Sequence, residues 1–539
     1  MMPNLIDKIG DWNPQLFREL KGRLKFFNVA IAVATSLLLQ LVLFSYQLPQ
    51  FPDDTWPEHW EHIFLTLSVI FVFTLLVAGT YLIINDLAKE ETRGTLNFIR
   101  LSPQSETSIL TGKLLGVPSL IYLSILLAVP LHLWAGLSAK IAFSGILSYY
   151  AILAASCIFF YSAALLLGLF SRSGSSFQPL VGFLGSSVVL LFLFITMVLA
   201  SSDSNTLNNS TAWFRLFNPW DVTNYLFPNL FHISDGSALR NLQFFYLPLG
   251  TSVVSVVGFH LLNFGLCSYG ILQVVKRNFR NPKGSIISKE QSYLLVAFCQ
   301  LMMWGFTVQT DLNNERWDER VGGNLVLLAV YNLVLILSLI VVLSPHRQDV
   351  QDWARYRHQG VSSRKNLWQD LISAEKSPAL VAIAINLTIV TIPWLVWVSL
   401  TSVFDANNDQ TWLSSDIDRF KVLLAIALSI SLMMIYATIA QLILLLKTPK
   451  RSFWAIGTLG TAMFLPPIIL QFLDISSSEY PTVWLFSTFP WAAIQYCGVT
   501  TIFMALLAEL SILTLLNFQL TKRVRLAGES ATKALLAGR

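Results

Sequence analysis

Twelve apolar stretches, separated by short polar segments, run along the chain near residues 28–48, 62–85, 111–135, 146–170, 178–200, 246–275, 292–309, 322–343, 379–402, 420–446, 454–473 and 497–518. Each is long enough to cross a bilayer: a spanning helix needs roughly 17–25 mostly apolar residues, because in hydrocarbon the backbone must satisfy its own hydrogen bonds. The seventh is the weakest of the twelve. The pattern predicts an all-α polytopic membrane protein of about twelve transmembrane helices. The remaining polar sequence falls into a few segments. Residues 12–27 place Leu16, Leu20, Leu24 and Phe27 at helical spacing opposite Arg18, Lys21 and Lys25. That spacing predicts either an interfacial helix on the inner leaflet or a charged approach to the first span.

The densest polar pattern, residues 86–115, follows the second span. Glu90, Glu91, Arg93, Gly94, Thr95 and Leu96 come first, then a break at Leu101-Ser102-Pro103, then Ser105, and finally Gly112-Lys113. Ser102 or Ser105 suits the cap of a second helix, with Pro103 in its first turn. The expected product is two short helices projecting from the membrane. Their charges, with an apolar ridge of Leu96, Phe98, Ile99 and Leu101, read either as a docking surface or as an ordinary interfacial loop.

Composition removes other fold classes. With 54% hydrophobic and 12% charged residues over 539, the chain is too apolar for a soluble multi-domain protein. Charge then orients it. With the N-terminus inside, 29 of the 36 Lys and Arg residues fall on the inner side, and Lys140, Arg215, Arg240, Arg316, Arg320, Arg419 and Lys421 remain outside. Both termini are therefore expected in the cytoplasm, and the net charge of +5 reflects orientation rather than affinity for nucleic acid. Cys157, Cys267, Cys299 and Cys497 lie in or at the ends of spans without disulfide or metal spacing, and read as small hydrophobes.

Short patterns recur about 270 residues apart. Asn13-Pro14 has a counterpart in Asn281-Pro282, Ser173 to Phe177 in Pro449 to Phe453, and Trp213 to Pro219-Trp220 in Trp484 to Pro490-Trp491. The longest inner loop of each half lies between its second and third spans. Two parallel six-span halves follow, 1–275 and 276–539, with inner loops at 86–115 and 344–378 and a cytoplasmic tail at 519–539. Such a pair can form a pathway at the interface between its halves.

Glu90-Glu91-x-Arg93-Gly94-Thr95-Leu96, Leu101-Ser102-Pro103-x-Ser105 and Gly112-Lys113-Leu-Leu together resemble the coupling region of ABC type-2 export permeases. The amphipathic N-terminal segment, six spans and aromatic outer segment before the sixth span are similar to that family as well. The resemblance covers residues 12–275. Residues 344–378 lack Glu-Glu-x-Arg-Gly-Thr, and only Leu371 to Pro378 echo the Leu-Ser-Pro portion. The resemblance implies a permease that hydrolyses nothing itself and has no cofactor of its own. Two separate ABC ATPase subunits, which bind ATP and Mg, would dock on the coupling helices. A further permease chain is a possible partner, the direction would be export, and the place would be a prokaryotic plasma (inner) membrane. Consistent with chemistry in trans, no Gly-x-x-x-x-Gly-Lys-Ser/Thr phosphate cradle occurs in the chain.

Few ionisable groups fall at mid-membrane, where a charge costs roughly 2.5–3.5 kcal/mol on insertion scales. His260 and Glu509 occupy equivalent spans of the two halves. They are candidates for a translocation path, against the plain alternative of a neutral Glu509 bonded to a neighbouring helix. Pro219, Trp220, Pro490 and Trp491 are expected to close the exit. On the outer side, Glu58 to His62 with Asp53-Asp54 lacks metal-site spacing, and no metal is expected there. Glycosylation at Asn208 or Asn209 would matter only in a eukaryotic secretory pathway. An apolar, charge-poor interior suits an amphipathic or lipid-linked substrate. An ion-coupled transporter or channel, or a non-transporting membrane scaffold, is the competing reading.

Overall fold

A computed structural model describes residues 8–46, 56–170, 178–201, 211–230, 238–282, 284–308, 317–358, 367–404, 416–448 and 450–528. Asp53-Asp54, 173–177, Asn208, Asn209 and Pro449 lie outside them, as do 311–316 and the end of the tail. The chain forms two compact units, Met1–Gly284 and Ser285–Arg539, dividing at Gly284 rather than at 275.

In unit 1 the amphipathic helix α1 (Pro14–Arg23) precedes α2 (Phe26–Tyr46) and α3 (Trp56–Thr92). Two inner helices follow, α4 (Thr95–Arg100) and α5 (Glu106–Gly116), then α6 (Ser119–Ser138), α7 (Phe143–Phe170) and α8 (Gln178–Ala200). Two short outer helices, α9 (Ala212–Arg215) and α10 (Pro219–Leu226), lead into α11 (Val253–Arg280). Unit 2 contains α12 (Lys289–Thr307), α13 (Trp317–Leu343), the inner helices α14 (Arg347–His358) and α15 (Leu367–Ser373), and α16 (Leu380–Phe404). It continues with α17 (Asp416–Leu444), α18 (Arg451–Phe472), the outer turn α19 (Pro481–Trp484) and α20 (Val499–Gly528). The only strands among the described residues are a two-residue hairpin, Gln243–Phe244 with Leu247–Pro248.

Eleven of the twelve expected spans are helices long and apolar enough to cross a membrane. The seventh, α12, is a 19-residue helix without that apolarity, since Lys289, Glu290, Gln291 and Gln300 interrupt it. In both units the first long helix packs on the third, the second on the third and the fourth on the sixth. One supposed correspondence fails. Asn13 caps the start of α1, whereas Asn281 ends α11 and accepts from the Gly284 N–H.

Helix α3 sets the frame for the functional region. Its 37 residues rise through about 56 Å at 1.5 Å per residue, well beyond a hydrocarbon core of roughly 30 Å, so its inner end leaves the membrane as helix and carries Asp86 to Thr92 with it. The expected loop at 86–92 is therefore helical. Part-way along, residues Thr74–Ala78 widen into a π-turn, and the Leu75 carbonyl accepts from the Tyr161 hydroxyl at 2.7 Å. Gly79 makes room for that ring: a Cβ there would lie 2.1 Å from the Tyr161 oxygen.

Candidate coupling site

The N-terminal helix is placed by its cap and by two glycines on its partner. Asn13 Oδ1 accepts from the Leu16 N–H at 3.0 Å, Pro14 occupies the first turn, and the Asn13 amide donates to the Ser108 carbonyl of α5 at 2.8 Å. Opposite, a Cβ on Gly112 would meet Leu16 N at 2.8 Å, and one on Gly116 would meet Glu19 Cβ at 2.5 Å. Two helix backbones thus touch where any larger residue would wedge them apart. The face that α1 buries is Asn13, Gln15, Leu16 and Glu19, while Leu24 and Phe27 stay exposed. This corrects the expected apolar stripe, because α1 ends at Arg23 and its inner face is built to meet a charge.

That charge is Lys113. Its side chain is fully buried, and Nζ lies 2.7 Å from Asp86 Oδ2, 2.7 Å from Glu90 Oε2 and 3.5 Å from Glu19 Oε1. Arg23 reaches Asp86 at 2.5 Å and Glu19 at 3.4 Å, and Arg18 reaches Glu90 at 2.5 Å. Three cations and three carboxylates from α1, α3 and α5 therefore form one knot of zero formal charge. Burial by itself would lower the Lys113 pKa, but Asp86, Glu90 and Glu19, with the hydrogen bond to Asp86, outweigh it and raise the value. The amine is held charged. Glu19, Asp86 and Glu90 are also the one group among the described residues close enough to hold a metal ion, and the Lys113 ammonium already lies among their oxygens.

Around this knot the predicted coupling residues divide into two faces. Glu90, Leu96, Gly112 and Lys113 point inward, so they join elements of this chain instead of offering a surface to another. Gly94, at φ +69°, turns the chain from α3 into α4, and Thr95 Oγ1 donates to the Glu90 carbonyl at 3.2 Å. The short α4 is amphipathic. Leu96 and Ile99 are buried, whereas Phe98 and Leu101 are 79% and 86% exposed. Arg93, Pro103 and Ser105 are exposed beside them, with Glu91 and Ser102 half-buried. Ser105, rather than Ser102, caps α5 through the Ser108 N–H, and Pro103 precedes the helix instead of entering its first turn. Ser102 Oγ donates to the Ile99 carbonyl and closes the turn.

The other candidates occupy separate places. His260 is buried in α11 with Nδ1 on the Val256 carbonyl at 2.8 Å, and Glu509 is buried in α20 beside α17, where Ser431 donates to its Oε2. Each is described within its own unit. Trp220 is fully buried and donates to the Leu193 carbonyl of α8 at 2.8 Å, near an Arg215–Asp221 pair at 2.6 Å, and Pro219 beside it is buried too. Pro490 opens a tight turn and Trp491 lines a cavity in unit 2. His59 lies among the rings of Phe44, Trp56 and Trp60.

Sequence reasoning passed over Glu19, Asp86, Arg18 and Arg23 as members of the site. A lone lysine at the start of an apolar run, with unpaired carboxylates on the two preceding amphipathic segments, was the available signal. It also passed over His132, buried in α6, which bonds Ser68 Oγ at 2.9 Å and the Tyr150 hydroxyl at 2.6 Å.

Residues 20–273 match the family model described as ABC-2 family transporter protein, so the first half of the chain is similar to the ABC type-2 permease family. No curated protein and no solved structure matches the chain. The family is a membrane component of transporters that work with ATPase subunits.

Proposed function

We propose that this ABC type-2 permease is the membrane subunit of an ATP-driven exporter in a prokaryotic plasma membrane, moved by ATPase subunits that bear on α4 of unit 1. The observation that carries this reading is the joining of an exposed apolar tip, Phe98 and Leu101, to the buried Lys113 knot a few residues away. Force applied at the tip reaches three elements at once. Leu96 and Ile99 anchor α4 in the core, Lys113 locks α5 to the continuous helix α3, and the Gly112 and Gly116 contact locks α5 to α1. A rigid lever of this kind converts a displacement outside the membrane into tilting of α2 and α3 within it. Two ATPase copies, with ATP and Mg bound on them, would supply the energy.

Among the described residues of the inner loop of unit 2, Leu367 and Trp368 are exposed as well, but no buried carboxylate-bound lysine stands behind them. The helices of this loop, α14 and α15, carry Arg357 paired with Asp370 at 2.5 Å and lack the Glu-Glu-x-Arg-Gly-Thr pattern. Docking is therefore assigned to unit 1. Replacing Phe98 and Leu101 together by Asp should leave folding within about 0.5 kcal/mol, as surface changes usually do. The same double variant should abolish stimulation of the co-purifying ATPase. Stimulation that survives in a correctly inserted F98D/L101D chain rejects α4 as the docking tip.

A further inference from the structure

Unit 2 contains a cavity of about 460 Å³ bounded by α13, α16, α17 and the outer segment 488–495. Its size lies in the range of small-molecule sites. The walls are helical stripes, with Leu325, Asn332 and Ile336 on α13 facing Val422, Ser429 and Met433 on α17. From Gly322 to Ile336 the α13 wall runs through roughly 21 Å at 1.5 Å per residue, so the space is a slot elongated along the helices. Trp394, Trp397 and Trp491 add aromatic faces nearer its outer end.

One polar group in the deep part of this slot has no use. Asn332 is 6% exposed and its Oδ1 accepts from Gln300 at 2.6 Å, but its Nδ2 is buried without a hydrogen-bond partner among the described residues. A buried donor left unmade costs about 1–3 kcal/mol. Gln300 Oε1 beside it also lacks a partner among the described residues, while Leu333, Ile336, Leu387 and Met433 make most of the nearby lining apolar. The lining does carry one ionised residue, Lys421, but it stands near the start of α17 at the outer end of the slot and not beside Asn332.

We propose that this slot binds an elongated, largely apolar molecule carrying a carbonyl or ester oxygen, with the chain against the tryptophans and the oxygen accepting from Asn332 Nδ2. The site lies in the half that the family match does not cover and is independent of ATPase coupling. Its test uses the full chain in detergent, without ATPase or nucleotide, so its failure leaves the coupling reading in place. The probes are a brominated stearic acid methyl ester and the brominated alkane of the same length, read by quenching of tryptophan fluorescence. The ester should quench saturably and bind about tenfold more tightly than the alkane, as one hydrogen bond allows. Asn332→Leu should erase that difference, and Ala329→Phe, which fills the slot, should remove saturation. Equal binding of ester and alkane by the native chain, or saturable quenching that survives Ala329→Phe, overturns the proposal. Should Ala329→Phe fail to fold, Asn332→Leu decides alone.

Discussion

Among the described residues each unit buries one lysine outside its spans, and the two are held in opposite surroundings. Lys113 of unit 1 is surrounded by three carboxylates that keep it charged. Lys289 of unit 2 donates to the carbonyls of Leu371 at 2.8 Å and Pro378 at 3.1 Å and to Ser377 Oγ at 2.6 Å. Burial lowers its pKa to about 8, with Asp370 opposing the shift only in part. One amine ties helices through charge, and the other ties a loop end through dipoles. A charged knot is costly to break and holds its geometry, which suits a lever. A carbonyl cage is cheaper and makes no demand for a partner anion. The outer ends differ in the same sense. Unit 1 buries Trp220 beside an Arg–Asp pair, whereas unit 2 leaves Trp491 on the wall of a cavity. The two halves share a helix-packing plan and have divided their chemistry.

The sharpest way to break this comparison is to remove both amines. Lys113→Met leaves Glu19, Asp86 and Glu90 facing one another in a largely buried site, and losing one partner of a buried charge network costs about 3–5 kcal/mol. Lys289→Met removes hydrogen bonds worth about 1 kcal/mol each together with a poorly solvated charge, so its net loss should be smaller. Thermal unfolding in detergent should show a far larger fall for K113M; equal falls would mean that the two lysines do the same work.

Gly112→Val comes next. It drives side-chain atoms into the α1 backbone, and overpacking of this kind costs about 1–3 kcal/mol. The equivalent change at Gly457, where a Cβ meets nothing within 4 Å, should be close to neutral. Proteolysis at residues 24–25 then reports whether α1 has lifted from α5, and a G112V chain that is no more sensitive than native would contradict the close contact.

The smallest effect is the dependence on pH. Lys289 has a folded value of about 8 against an ordinary 10.5, so between these pH values the unfolded chain holds a proton that the folded chain has released. Stability from this group therefore rises with pH across that window, and Lys289→Met should flatten the rise. Lys113 has the opposite sign. Its raised value keeps its contribution whole below 10.5 and loses it only at higher pH, so the K113M penalty should be the same at about pH 7 and about pH 9. A penalty that shrinks between those two conditions would show that Lys113 is not held charged.

Much of this molecule is legible in its pattern of residues, because spanning helices are dictated by local apolarity and backbone hydrogen bonding, which require no knowledge of neighbours. Eleven of the twelve spans and the α4 and α5 helices follow from it, and it narrows the α5 cap to Ser102 or Ser105. The weakness of the seventh span was visible too, in the polar residues that α12 carries. Other readings needed the third dimension. Glu90 and Lys113 read as surface because they are charged and lie in a polar segment, yet each had a partner from a distant part of the chain: Lys113 meets Glu19, 94 positions earlier. Leu96 and Leu101 look alike in sequence, and only the packing of α4 sends one inward and the other out.

The sequence by itself determined that the chain is a helical membrane protein, and it singled out the dense polar segment between the second and third spans. Each of these rests on a transfer free energy or a local spacing that one segment carries alone. Tertiary structure decided which charges are neutralised inside and which residues remain exposed at the tip. It also decided that Trp220 is buried in one unit while Trp491 lines a cavity in the other. Those outcomes depend on which side chains meet across helices, and a linear pattern assigns residues to a helix without saying what stands opposite them.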